Sequence, residues 1–385
     1  PPIDALRESV VTSTKLYLGN HGNLLEDCRD SCRLVRLPSP ILSDEDFRRL
    51  CAIDRPGFRV ASVCATYPAA GGPHALDRAL AELAEQVEKD VRAGANIVVI
   101  SDRAAAGEVP VPSLLSLGCV HNHLIRRGLR TLVDLVVETG DAISAHDFAC
   151  LVSFSASGIC PYLAHDCVRD LCARGELESD PEEACASYDR AVTAGIVSIM
   201  SKMGISTMQG YHSAQIFEIV GLSDELVERC FSFTATRVGG LGVDDLQRLL
   251  DERHAAAAAL GRTPAPGQLP TLGLTKWRPS GEEHLIDPKA IYLLQRACRE
   301  GDYDLFREYS AWVHRPGRAV TLRDLMDLSP AADPVPLDEV EPASQIVRRF
   351  NTGAMSYGSI SREQHECLAV AMNRLHGRSN SGEGG

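Results

Sequence analysis

The sequence predicts an α/β fold organised around a parallel sheet, and three observations support this. Short runs apolar on both faces, at residues 97–100 (IVVI) and 132–137 (LVDLVV), alternate with longer segments whose apolar side chains recur every three or four positions. The helical segments stop at glycines, among them Gly94, Gly128 and Gly204, where a helix can end in the left-handed conformation. Strands apolar on both faces need cover on both sides, which right-handed βαβ units provide.

Along the chain, Leu76, Leu80, Leu83, Val87 and Val91 mark an amphipathic helix over residues 74–92. The strand at 97–100 follows, then a helix through Leu114, Leu115, Leu124 and Ile125, then the strand at 132–137. A third helix, from about Ser144 to Ser155, leads to Ile159 and Cys160. Beyond Asp189, the residues Val192, Ile196, Ile199, Met200 and Met203 share one helical face, and Ser223 is placed to cap a helix with Asp224 and Glu225 in its first turn. The alanine run after His254 and the stretch RTPAPGQLPTLGLTKWRPSGEEH read as a linker. Asp287 and Pro288 are a good cap and first residue for another helix, expected to pack Ile291 and Leu294 near Leu305. The acidic, proline-rich residues 330–342 suggest a boundary before the last segment.

Composition narrows the function. A length of 385 residues suits about two domains. The net charge of −13 argues against a nucleic-acid partner. No run approaches the roughly 18–20 apolar residues of a membrane span, and no basic segment followed by an apolar one opens the chain. A start at Pro1-Pro2 without Met and a glycine-rich finish predict a piece of a longer protein. The 13 cysteines form no CxxC pair and sit in apolar surroundings, as at Cys119, Cys150 and Cys230, so reduced, buried, intracellular thiols are expected.

Several groups could carry chemistry. Asp102, Arg103 and Glu138 fall at the carboxyl ends of predicted strands, where α/β folds hold ligands, although ion pairs and loop caps would use the same residues. Cys160, Cys167 and Cys172 could ligate a metal or a cluster; read structurally, they are small hydrophobes on a strand end and the following helix. His121 and His123 would share a face on a strand, but on a helix residues two apart diverge, which disfavours zinc. The GGLG at 239–242 lacks dinucleotide-binding spacing and is expected in a loop or at a helix terminus.

The last segment is the most informative. Gly353, Ala354, Met355, Ser356, Tyr357 and Gly358 lead into Ser359, Ile360 and Ser361 and then a helix, with Ser361 placed to cap it and Glu363 in its first turn. Small residues let a backbone approach a flat ligand closely, so a strand–loop–helix holding a planar cofactor is one reading.

The motif GAMSYGSIS, followed by Glu363 and His365 and then AMNRLHGRSNSGEGG, resembles the opening of the FMN-binding domain of glutamate synthases. Upstream, SDRAAAGEVPVPSLLSLGCVHNHLIRRGLRTLVDLVVETGD and SKMGISTMQGYHSAQIFEIVGLSDELVERCF resemble the central domain of that family, and PPIDALRE resembles the join to its amidotransferase domain. The resemblance implies a join at 1–50, a central domain at 51–255, a linker and helical connection at 256–340, and the truncated start of a (β/α)8 FMN-binding barrel at 341–385. It implies an intracellular, soluble oxidoreductase of cytoplasm or plastid. Such an enzyme takes ammonia released from glutamine by the amidotransferase domain, combines it with 2-oxoglutarate and reduces the product to L-glutamate on flavin. Electrons come through a 3Fe-4S cluster from ferredoxin or from an NAD(P)H-oxidising subunit or region. Carried over by position, Gly353, Ala354, Met355 and Ser356 would line FMN. Met355, Gly358 and Glu363 would face 2-oxoglutarate, with Glu363 as the catalytic carboxylate. The cluster cysteines would lie beyond Gly385, leaving no metal ligand here. Two other readings stand beside this one: a scaffold domain without activity of its own, and an independent α/β flavoprotein oxidoreductase.

Overall fold

The computed structural model describes residues 2–23, 25–26, 28–259, 273–279, 281–315, 317 and 319–382. The chain forms two compact units, Pro1–Pro266 and Gly267–Gly385. Residues 260–272 of the expected linker lie outside the described residues.

The first unit is an α/β domain on a four-stranded parallel sheet. Its strands Val60–Cys64, Ile97–Ser101, Asp134–Glu138 and Ala156–Cys160 lie side by side in chain order. The two central strands pair Ile97 with Asp134 through to Ser101 with Glu138. Helices Ala75–Arg92, Ser113–Arg126 and Ala145–Ser153 make the crossovers. In sequential order, crossovers of one hand place all three helices on one face, and they pack against one another in turn. Leu76, Leu80, Leu83 and Val87 of the first helix are buried, so the three- and four-residue spacing translates directly into packing.

The other face is closed by the amino-terminal segment. Strands Leu16–Leu18 and Val35–Leu37 pair antiparallel, burying Leu16, Leu18 and Leu37. Residues 40–42 then run along the sheet edge: Ile159 N donates to Pro40 O at 2.7 Å and Leu42 N to Ile159 O at 2.8 Å. A Cβ on Gly158 would meet Leu42 Cδ1 at 3.1 Å, so a bare backbone lets this layer settle.

Several elements differ from expectation. The edge strand Val60–Cys64 carries no double-faced apolar run because it is only partly buried, so its pattern is weak. The long helix starts at Pro181, capped by Asp180, rather than near Asp189. The glycines of GGLG are not confined to a loop: Gly239, Gly240 and Leu241 sit in the strand Ala235–Leu241, which pairs parallel with Glu218–Leu222. A Cβ on Gly240 would lie 2.5 Å from Gly221 O, so the close approach of the two backbones explains the glycine. The cysteines are mixed: Cys119, Cys160, Cys185 and Cys230 are buried, but Cys28, Cys32, Cys51, Cys64, Cys167, Cys298 and Cys367 are exposed. An apolar neighbour in sequence does not tell which way a thiol points.

In the second unit, helices Pro288–Glu300 and Tyr303–Val313 pack together. Asp287 caps the first, accepting from Ala290 N at 2.7 Å, and also accepts from Trp312 Nε1 at 2.9 Å. The buried face is Ala290, Leu293 and Ala297; Ile291 and Leu294 instead line an apolar groove with Tyr309 and Val313. The packed face is one residue away from the expected one. Among the described residues no helix is long and apolar enough to cross a membrane.

Gly118 tests this packing. On the helix Ser113–Arg126, a Cβ there would meet Cys230 O at 2.5 Å and Phe231 Cε1 at 2.6 Å. Gly118→Ala should gain helix propensity of about 1 kcal/mol yet destabilise the chain by about 1–3 kcal/mol net through overpacking. A urea titration showing unchanged or increased stability would contradict that packing.

Candidate functional site

In the second unit, residues 350–352 and 378–380 run side by side in parallel. Asn351 and Arg378 form a bridge, with Arg378 N donating to Phe350 O at 3.1 Å and Thr352 N to Arg378 O at 3.0 Å. The helix Arg362–Arg374 connects them, so the segment is a β–α–β arrangement reduced to a single bridge. Ser361 caps the helix and Gln364 completes the capping box, satisfying amides the helix cannot.

The expected site residues occupy the turn before this helix. Gly353, Ala354, Met355 and Ser356 are irregular backbone after the bridge, and Gly358 lies in the turn closed by Ser359 N donating to Ser356 O at 3.0 Å. Gly353 has open space where a Cβ would be, and Gly382 packs its Cα side against Ser356, the nearest atom being Ser356 N at 3.3 Å from the Cβ position. Met355 and Ser356 are half-buried, whereas Gly353, Ala354, Gly358 and Glu363 are exposed. Glu363 sits in the first helical turn, its carboxyl held below its ordinary range by its own backbone N–H and then by the Ser361 hydroxyl. Gly353, Ala354, Met355, Ser356 and Gly358 thus share one loop, and Glu363 lies at the helix start that the loop feeds.

The carboxyl ends of the first unit's strands present a different picture. Glu138 accepts from Arg103 Nε and Ser101 Oγ, each at 2.6 Å, and the Arg103 guanidinium lies 3.8 Å from the Tyr162 ring centroid. Asp102 accepts from Thr139 Oγ1 and Gly140 N, each at 2.8 Å. Burial pushes Asp102 above its ordinary range, against the pull of Thr139, Gly140 and Tyr162. Asp44 pairs with Arg169 at 2.6 Å and accepts from the Cys160 thiol at 3.5 Å. Each charge here is answered by a neighbour, which is the ion-pair and loop-cap alternative. Tyr162, Thr139 and Asp44 were not singled out from sequence; Tyr162, directly after the strand end and Pro161, was the available signal.

The two histidines diverge as helical spacing requires. His123 Nε2 is 2.6 Å from Glu88, while His121 Nδ1 accepts from Arg130 Nε at 3.0 Å. Cys160 is buried at a strand end, with Cys167 exposed and Cys172 half-buried on the helix Tyr162–Ala173.

A parallel α/β unit with internally paired strand ends, and a second unit that contains a glycine-rich strand–turn–helix, define an α/β protein. The family described as glutamate synthase central domain matches residues 1–223, and the conserved region in glutamate synthase matches residues 284–385. The whole chain is 42% identical to the glutamate synthase (NADPH) large chain of Bacillus subtilis, covering 25% of that protein. It is 39% identical to the glutamate synthase (NADH) of Schizosaccharomyces pombe, covering 18%, and 40% identical to ferredoxin-dependent glutamate synthase 2 of Synechocystis, covering 26%. The chain belongs to the glutamate synthase family, and it spans about a quarter of the length of such relatives.

Two predictions follow from the strand ends. Asp102→Ala leaves the Thr139 hydroxyl and the Gly140 amide without their acceptor, so stability to urea should fall by about 1–3 kcal/mol; a change within error would mean the cap is dispensable. At the opposite ends of the strands, burial and then the neighbouring Arg130 push His121 down to about 3 and His212 down to about 4. Both stay neutral when folded, while unfolded imidazoles take up protons near pH 6.5. Their contribution is intact above that pH and is lost as pH falls toward 4, because only the unfolded state binds the protons. Wild type should therefore lose stability relative to His212→Phe between about pH 6.5 and pH 4, as read from paired denaturation curves; parallel pH profiles would contradict a neutral His212.

Proposed function

We propose that this chain is the central domain and the opening of the FMN-binding synthase domain of a glutamate synthase. On this reading the parent enzyme makes L-glutamate from glutamine-derived ammonia and 2-oxoglutarate. The join lies at 1–50, the central domain at 51–255, the linker and helical connection at 256–340, and the start of a (β/α)8 barrel at 341–385. The observation that carries the reading is the parallel pairing of Asn351 with Arg378 around the helix Arg362–Arg374, in the segment bearing GAMSYGSIS. One strand, a helix and a second parallel strand are the repeating step of such a barrel.

The loop suits a flat cofactor. Open space beside Gly353 and the close seat of Gly382 on Ser356 leave a bare backbone face between two strand ends. Gly353, Ala354, Met355 and Ser356 would hold FMN there, which when bound supplies the hydride. Backbone N–H groups of this loop would favour negative charge on the ring. Met355 and Gly358 would border 2-oxoglutarate. Glu363, kept ionised, would orient the cationic nitrogen of the substrate imine. The 3Fe-4S cluster and the electron donor, whether ferredoxin or an NAD(P)H-oxidising subunit or region, belong to the same reading, with cluster ligands outside residues 1–385.

The paired charges at Asp102, Arg103 and Glu138 favour a scaffold role for the first unit, joining the amidotransferase to the synthase. This role is compatible with the main reading in the intact enzyme.

The test uses full-length enzyme. Glu363→Gln should leave folding, flavin content and glutamine hydrolysis near wild type while lowering glutamate formation roughly a hundredfold, about 2.7 kcal/mol of transition-state stabilisation. A helix-terminal carboxylate acting only on the helix dipole is worth about 0.3–1 kcal/mol. If synthase turnover is retained and only the melting temperature drops, Glu363 is a cap and its catalytic assignment fails.

A further inference from the structure

A cavity of about 680 Å³ lies at the amino ends of the first unit's strands, opposite the ends where α/β sheets usually hold ligands. Most of its lining side chains are polar, among them His21, Arg130, Asp134, Gln209, His212 and Ser213, although carbon atoms supply most of the exposed wall. Arg130 Nε donates to His121 Nδ1 at 3.0 Å, and its terminal nitrogens donate to Val133 O at 2.5 Å and Ser155 O at 3.2 Å. A guanidinium has five N–H donors, so each terminal nitrogen keeps one unspent.

Among the described residues no carboxylate forms an ion pair with Arg130. The nearby Asp134 is occupied elsewhere, by His21 Nε2 at 2.9 Å, Gly19 N at 2.8 Å and Ser157 Oγ at 2.7 Å.

The hydroxyls add to the surplus of donors. His121 uses Nδ1 as acceptor, so its proton is on Nε2, which donates to Ser213 Oγ at 3.3 Å. Ser213 and Ser155 share one bond at 2.9 Å between their Oγ atoms. Whichever donates in that bond, one hydroxyl proton is left without an acceptor among the described residues. Both serines are held at positive φ, 74° for Ser155 and 54° for Ser213, a conformation that costs a non-glycine residue about 1–3 kcal/mol and is concentrated at ligand sites.

We infer that this cavity binds a small oxyanion, a carboxylate or phosphate group, on the spare N–H pair of Arg130 and the hydroxyls of Ser155 and Ser213. The forked guanidinium fits two oxygens of either group. The residues of this site all belong to the first unit, and the inference does not rest on the proposed flavin loop.

Hydrogen–deuterium exchange on full-length enzyme tests this locally, so that anions bound elsewhere do not confuse the result. Peptides covering residues 209–215 and 153–157 are followed with inorganic phosphate, with succinate, and with chloride at matched ionic strength. At ten times Kd, exchange through local opening should slow about tenfold. Protection by phosphate alone, by succinate alone or by both supports the site and says which oxyanion it prefers. Arg130→Gln should abolish the protection. Should that variant not fold, Ser213→Ala, which removes only a hydroxyl, should weaken it severalfold. No protection beyond chloride, or undiminished protection in a folded Arg130→Gln or in Ser213→Ala, overturns the inference.

Discussion

A parallel sheet has to be covered on both faces, and this requirement organises the first unit. Ile97, Val98, Val99 and Ile100 are all almost fully buried, as are Leu135, Val136 and Val137, so neither face meets water. Helices from the crossovers can cover one face only when the strand order is sequential. The second layer comes from the amino-terminal segment, whose Leu16, Leu18, Leu37 and Leu42 join the same core. That segment is therefore part of the fold, and the bare backbone at Gly158 is where it fits.

The same sheet separates two electrostatic environments. At the carboxyl ends, Arg103, Glu138, Asp44 and Arg169 neutralise one another at short range, and Asp102 is spent on backbone and hydroxyl donors. At the amino ends, Arg130 donates to His121 and to two carbonyls and feels the charge of Asp134, whose own hydrogen bonds go to His21, Gly19 and Ser157. At the carboxyl ends the charges close on one another in pairs, whereas at the amino ends Arg130 keeps N–H groups to spare and His212 Nε2 is buried without a partner among the described residues. Location at the carboxyl ends of strands is a useful prior for a site, but the count of satisfied groups is more specific.

Much of the first unit was legible in the sequence. The helix Ala75–Arg92, the strand Ile97–Ser101 and the cap at Ser223 announce themselves through period, burial and terminal chemistry, which are local properties. The edge strand Val60–Cys64 was not legible, because partial burial removes the apolar signal a strand needs. The packed face of Pro288–Glu300 was displaced by one residue, since spacing alone does not say which of two adjacent stripes meets a neighbour. At the carboxyl-terminal loop the residue types indicated a backbone open to a flat ligand, and the bridge between Asn351 and Arg378 adds the parallel connection that spacing could not supply.

By itself the sequence determined the α/β class, the central helices and strands of the first unit, the caps at Ser223 and Asp287, and, through GAMSYGSIS and the segments before it, membership of the glutamate synthase family. Tertiary structure alone decided which polar residues meet. Arg130, His121, Ser155 and Ser213 are scattered over 93 positions of chain, counted from 121 to 213 inclusive, yet form one hydrogen-bonded group. The physical reason is that helical period and strand burial are encoded in neighbours along the chain, whereas satisfaction of a donor depends on residues brought near only when the sheet is covered.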